Sequence, residues 1–208
     1  MQVYLPVLYG AALGAGLAVP VRLLCALLLR QRGIAQTMGR LHTVILIVSM
    51  AAIGGVIGWR AGTTFSGLYL LLLLFVCACA FYIDAVRRII PNELVLAIII
   101  LAAAFGLTGA IRFQIVPSLL GLAVCFGIFF VPGLFGKQVG AGDVKLAAAM
   151  GFALGLRGSL YAVACMGALV LVYVMVDFRV PLPQRLKEMI PMGPFLALAL
   201  IAMSIILL

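Results

Sequence analysis

The sequence specifies an all-α, polytopic membrane protein, read as a single transmembrane domain over residues 1–208. Three observations lead there. Of the 208 residues, 67% are hydrophobic and 9% charged, whereas soluble domains carry roughly 25% charged residues. The mean hydropathy is +1.36. The apolar residues also fall into runs near the length of about 20 that carries a helix across the hydrocarbon core.

Cutting the chain at its charges, glycines and prolines gives eight segments. The first, 3–29, stops at Arg30 and is too long and too poorly flanked for a cleaved signal peptide. The polar stretch from Arg30 to His42 is a loop, and the second segment, 43–58, follows it up to Arg60. The third, 67–86, ends at Arg87 and Arg88. The fourth, 93–110, begins after Pro91 and stops before Arg112. The fifth covers 115–135, short of Lys137. Arg157 divides a sixth segment, 144–156, from a seventh, 159–176. The eighth, 191–208, opens at Pro191. The second and sixth are short for a span.

Loop charges set the orientation. One side collects Arg30, Arg32, Arg40, Arg87, Arg88, Lys137, Lys145, Arg179, Arg185 and Lys187; the other has Arg60, Arg112 and Arg157, with Arg22 inside the first segment. Ten cations against three put the first group in the cytoplasm and both termini outside, in a multi-pass protein of the inner (plasma) membrane. The net charge of +9 does not indicate nucleic acid, because the cations are scattered singly between apolar runs. Membrane lipid is the expected surrounding partner.

The five cysteines, Cys25, Cys77, Cys79, Cys125 and Cys165, lie in apolar stretches without a CxxC. They read as small core side chains, with no zinc site and no disulfide framework. His42 reads as a solvated side chain, and Gly14-Ala15-Gly16 as close helix packing.

Two aspartates stand where hydrocarbon should not tolerate them. Asp84 ends the third segment and opens Asp84-Ala-Val-Arg87-Arg88-Ile-Ile90-Pro91-Asn92. Asp143 closes Gly140-Ala-Gly142-Asp143, followed by Val144-Lys145. Ionisable groups at membrane depth mark functional sites by default, and the topology sets both acids at one depth on the third and sixth segments. Each has a structural reading as well. Asp84 is spaced to pair with Arg87 or Arg88, Pro91 breaks the helix and Asn92 can cap the next one. Asp143 can cap the sixth segment, where the dipole favours negative charge, and Gly140 and Gly142 let another chain approach closely. Lys145, two residues on, faces away from Asp143 on a regular helix, towards a lipid headgroup or an acidic feature of a substrate.

Together these segments resemble the type IV prepilin peptidase family of GxGD-type membrane aspartyl proteases. Asp84 with Arg88, Ile90-Pro91-Asn92 and Glu93 is similar to that family's first catalytic motif. Gly140-Ala-Gly142-Asp143-Val-Lys145 is similar to its second, and Pro191-Met-Gly193-Pro194-Phe-Leu-Ala197 to the segment opening its last helix. The resemblance covers about 67–208, the expected catalytic core. It implies cleavage of the leader peptide of prepilins or pseudopilins, substrates with an apolar N-terminal helix, at the cytoplasmic face. Asp84 and Asp143 are then the catalytic residues, and Gly140, Gly142, Lys145, Arg88, Pro91, Asn92, Gly193 and Pro194 shape the site. The loop from Arg30 to His42 lacks the cysteine motifs of fuller relatives, and no site for a methyl donor is legible. A peptidase without methyltransferase activity is expected.

The chemistry implied is general acid–base catalysis on water by a carboxylate pair. Two like charges close together in low dielectric cannot both ionise easily, so the pair titrates as a unit. Neither a metal nor an organic cofactor is required. Two other classes compete: a proton- or cation-coupled transporter using the aspartates as a relay, and a non-catalytic assembly subunit. Both acids at one face, and no inverted repeat, speak against the transporter.

Overall fold

The computed structural model describes residues 4–34, 38–135, 140–176 and 191–208. It is helical in seven elements: α1 (Tyr4–Gln31), α2 (Arg40–Ala61), α3 (Phe65–Arg87), α4 (Asn92–Leu107), α5 (Ile115–Leu134), α6 (Ala141–Val176) and α7 (Gly193–Leu207). Lys137, Arg179, Arg185 and Lys187, all used in the charge reading, lie outside the described residues.

Helix ends follow local chemistry. The Thr64 side chain accepts from Gly67 N–H and caps α3, while Gly62, at φ 59°, closes α2. At the far end of α3, Arg88 adopts φ 55° and ψ 38° and sends its N–H to the Asp84 carbonyl at 2.8 Å, a left-handed cap that stops the helix. Pro91, not the expected Asn92, occupies the N-cap of α4; its fixed φ of −61° suits that place. The polar stretch expected as a loop from Arg30 to His42 is shortened at both ends by the neighbouring helices, because α1 runs on to Gln31 and α2 begins at Arg40. A charged side chain at a helix end reaches the interface along its own stem and need not stop the helix. The second segment is therefore a full 22 residues.

Eight separate helices were expected; the described residues form seven helical elements, because two of the expected helices are joined end to end. The sixth and seventh segments form one helical element, interrupted at Gly155 with φ 67° and ψ 179°. A backbone of that kind suits glycine alone, and the chain reverses there. The first limb starts beside α4 and α7. Beyond the break, Gly158 lies against Leu207 at the far end of α7, and Tyr173 packs on Phe195 at the start of α7, with ring centroids 5.5 Å apart.

Five helices, α1, α2, α3, α5 and α6, are long and apolar enough to cross a membrane; α4 and α7, with 16 and 15 residues, are shorter. The helix α3 is the most enclosed of the five. It packs against α1 and α2 on one side and against α4 and α7 on the other. Since α6 packs against the same α4 and α7, the helices α3, α4, α6 and α7 close a ring, with α5 outside against α6. Large apolar side chains exposed on α1, α2 and α5, such as Leu5, Val48 and Val116, suit a surface bathed in lipid. Four of the five cysteines are buried, as expected of small core side chains.

Two crossings are set by glycine. In α1 and α2, Gly10 and Gly14 meet Gly54 and Gly58, and a Cβ on Gly10 would collide with the Gly54 carbonyl. Of the expected Gly14-Ala15-Gly16, only Gly14 makes such a contact, Gly16 having nothing within 4 Å of an added Cβ. The second crossing, α5 on α6, rests on Gly121 against Gly151. Small residues of this kind let backbones approach and gain dispersion contact where lipid offers no hydrophobic gain. Gly54→Val must push α1 off α2, an over-packing cost of at least about 1–3 kcal/mol. Thermal unfolding in detergent is expected to show a lowered midpoint, with Ser49→Ala on the exposed face of α2 as a silent control.

Candidate active site

Asp84 sits on the last turn of α3 and is 4% exposed. Such burial needs hydrogen bonds. One comes from Gly193, the first residue of α7, whose N–H donates to Asp84 Oδ2 at 3.0 Å. A helix N-terminus has orphan N–H groups and a positive dipole end, so the carboxylate and α7 satisfy each other. The contact leaves no room for a side chain: a Cβ on Gly193 would lie 2.6 Å from Oδ2. Pro194 follows, buried in the first turn where its missing N–H costs nothing. The ion pair allowed by sequence spacing does not form; Arg87 and Arg88 are exposed, and Arg88 contributes its backbone as the cap of α3.

Asp143 is the third residue of α6, half-buried, with Gly140 flanking the helix start. The Val144 N–H donates to the Gly140 carbonyl at 3.2 Å. A Cβ on Gly140 would meet Asp143 Oδ2 at 2.8 Å, so this glycine leaves room for the carboxylate. Gly142 serves a different contact from the one expected. It lies in the first helical turn, and the chain close to it is the protein's own Ile90, whose Cβ would be 3.0 Å from an added Cβ. Among the described residues, Asp143 Oδ1 is buried without a hydrogen-bond partner. An unpartnered buried carboxylate oxygen is costly, which fits an atom reserved for a ligand or water.

The structure brings the two carboxylates together. Ile90, six residues past Asp84, lies against Gly142, the neighbour of Asp143, and the two carboxylates are near enough to interact, although 59 positions separate them. Each lies at a helix N-terminus, Asp84 at that of α7 and Asp143 at that of α6, so both dipoles favour negative charge at one place. Around the pair, Lys145 Nζ donates to Asn92 Oδ1 at 3.0 Å, a protein partner where lipid or substrate was expected. Pro91 is buried at the head of α4. Two contributors were not among the expected site-shaping residues. Ile90 is 8% exposed beneath Gly142. Arg32, counted only as a topological charge, pairs with Glu93 at 3.0 Å and ties α1 to α4. A 61-residue separation leaves no local signal for that pair.

The chain belongs to the type IV leader peptidase family, whose model matches residues 70–175. The matched stretch holds Asp84, Asp143 and the elements between them; Gly193 and Pro194 lie beyond it. Comparisons with curated proteins and with solved structures found no match. Membership makes the protein a peptidase, and its long apolar helices place it in a membrane.

Replacing Gly193 tests the geometry. Gly193→Ala must displace either the Asp84 carboxylate or the start of α7, and the expected destabilisation is about 1–3 kcal/mol. A thermal midpoint unchanged from wild type would show that Asp84 and α7 are not in contact.

Proposed function

We propose that the protein is an intramembrane aspartyl endopeptidase that removes the leader peptide from prepilins or pseudopilins. The observation that carries this reading is the convergence of Asp84 and Asp143 from opposite members of the helix ring, in a chain of the leader peptidase family. One carboxylate, ionised, takes a proton from water as the water oxygen attacks the scissile carbonyl. The other, protonated, polarises that carbonyl and later supplies the proton that the leaving amine takes up. One shared proton is the natural state of such a pair, because two like charges close together cannot both ionise cheaply. Gly140 and Ala141 are exposed beside the pair and offer little side-chain obstruction to an extended substrate. The apolar stem of the substrate would remain in the bilayer against the helices.

In this reading the aspartate end of the bundle faces the cytoplasm and both termini lie outside, with the two limbs of α6 counted as separate passes among eight. The excess of Lys and Arg at that end supports the orientation. The activity is proteolysis without N-methylation and without a cofactor.

Asp84→Asn and Asp143→Asn keep shape while removing the ability to take or share the proton. Each is expected to lower cleavage of a purified prepilin by at least about a hundred-fold, at wild-type protein level in the membrane. Full activity in either variant removes that residue from catalysis. Orientation is tested by single cysteines in a cysteine-free background, labelled in intact cells with a membrane-impermeant maleimide. Positions near Arg60 and Arg112 are expected to label, and a position beside Lys187 to remain protected. Labelling beside Lys187 would put the aspartates on the outer face.

A further inference from the structure

Asp84 and Asp143 are held in different ways. Asp84 is buried and receives the first N–H of α7, whereas Asp143 Oδ1 has no partner among the described residues. The place of Asp143 is therefore set by whatever holds the first turn of α6. Among the described residues, two such contacts come from the head of α4. Ile90 fills the space beside Gly142, and Asn92 Oδ1 accepts from Lys145 Nζ at 3.0 Å.

The head of α4 is a firm support. Arg88 is fixed in the left-handed cap, Pro91 constrains its own φ, and Glu93 pairs with Arg32, just past the end of α1. As α4 is the ring member between α3 and α6, a tie from its first residue to α6 sets how far Asp143 stands from Asp84. A neutral acceptor at 92 suits this place, since it holds an ammonium without adding a third carboxylate to the pair.

We propose that Lys145 is a positioning residue that acts through Asn92: the pair latches the first turn of α6 to α4 and so sets the spacing of the two aspartates. The inference rests on the carboxylate-pair reading. It differs from a direct role in which the ammonium of Lys145 binds a substrate carboxylate or a lipid phosphate.

The full-length protein is tested as Lys145→Met, Asn92→Leu and the double variant. Displacing a reacting group by an ångström costs up to about a hundred-fold. Each single variant is therefore expected to lower kcat on a prepilin roughly ten- to hundred-fold with KM within about twofold. Because the partners form one unit, the double variant is expected to be no slower than the slower single one. A second readout needs no activity. Ile90→Cys in a cysteine-free background reports the joint between α4 and α6, and Lys145→Met is expected to speed its labelling by a maleimide several-fold. A raised KM with unchanged kcat in Lys145→Met, with Asn92→Leu silent, would overturn the latch in favour of a ligand contact. So would multiplicative effects in the double variant, or unchanged labelling of Cys at 90. If labelling responds while wild-type protein cleaves no prepilin, the latch stands and the prepilin reading falls. If wild type cleaves and labelling does not respond, the reverse holds.

Discussion

A carboxylate buried at the end of one apolar helix and bonded to the first N–H of another is the constraint on which the arrangement depends. Asp84 cannot be enclosed without a donor, and Gly193 supplies it from α7. That bond fixes where α7 starts, and α7 in turn packs on α6, which carries Asp143. The same glycine that donates the hydrogen bond lacks the Cβ that would block it, so backbone chemistry and steric allowance come from one residue. The ring of α3, α4, α6 and α7 is built around this junction, with α1 and α2 as an outer brace.

Glycine recurs wherever the bundle must be narrow. Gly121 and Gly151 bring α5 onto α6, Gly142 admits Ile90, and Gly10, Gly14, Gly54 and Gly58 close the hairpin of α1 and α2. Lipid offers no hydrophobic gain for bringing helices together, so contact area and local hydrogen bonds must do it. Among the described residues, charged side chains tie helices at the ends: Arg32 to Glu93 and Lys145 to Asn92 at the aspartate end, and Arg60 to the Ile206 carbonyl at the other. Ends are where water lowers the cost of a charge that fails to pair.

Much of this was legible in the sequence, for reasons that differ by feature. Helix limits follow from charges and prolines, so Arg87-Arg88 and Pro91 mark the junction of α3 and α4 to within a residue or two. The aspartates were legible because an acid inside an apolar run is costly. Asp84, Asp143 and the family followed from residues within short windows, and the match over 70–175 agrees with the family. Features that depend on long separations were not legible. Nothing near Arg32 announces Glu93, and nothing near Gly14 announces Gly54. Asn92 and Lys145 were singled out separately, yet their bond to each other appears only once α4 and α6 stand side by side. The break at Gly155 was placed by Arg157 to within two residues, but a glycine in an apolar run does not say whether the helix program continues past it.

That break has a consequence for the surrounding bilayer. The first limb of α6 covers residues 141–154 and, at 1.5 Å per residue, is about 21 Å long. With α4 and α7 at 16 and 15 residues, three of the four walls around the acid pair are shorter than the roughly 30 Å of hydrocarbon that a membrane presents. Hydrophobic mismatch of this size is relieved by thinning of the lipid against the short walls. In the membrane arrangement proposed above, such thinning would dimple the bilayer beside the acid pair and draw headgroups and water inward. A peptide bond near the end of a membrane-embedded stem would meet hydrolytic water there without being pulled far out of the lipid.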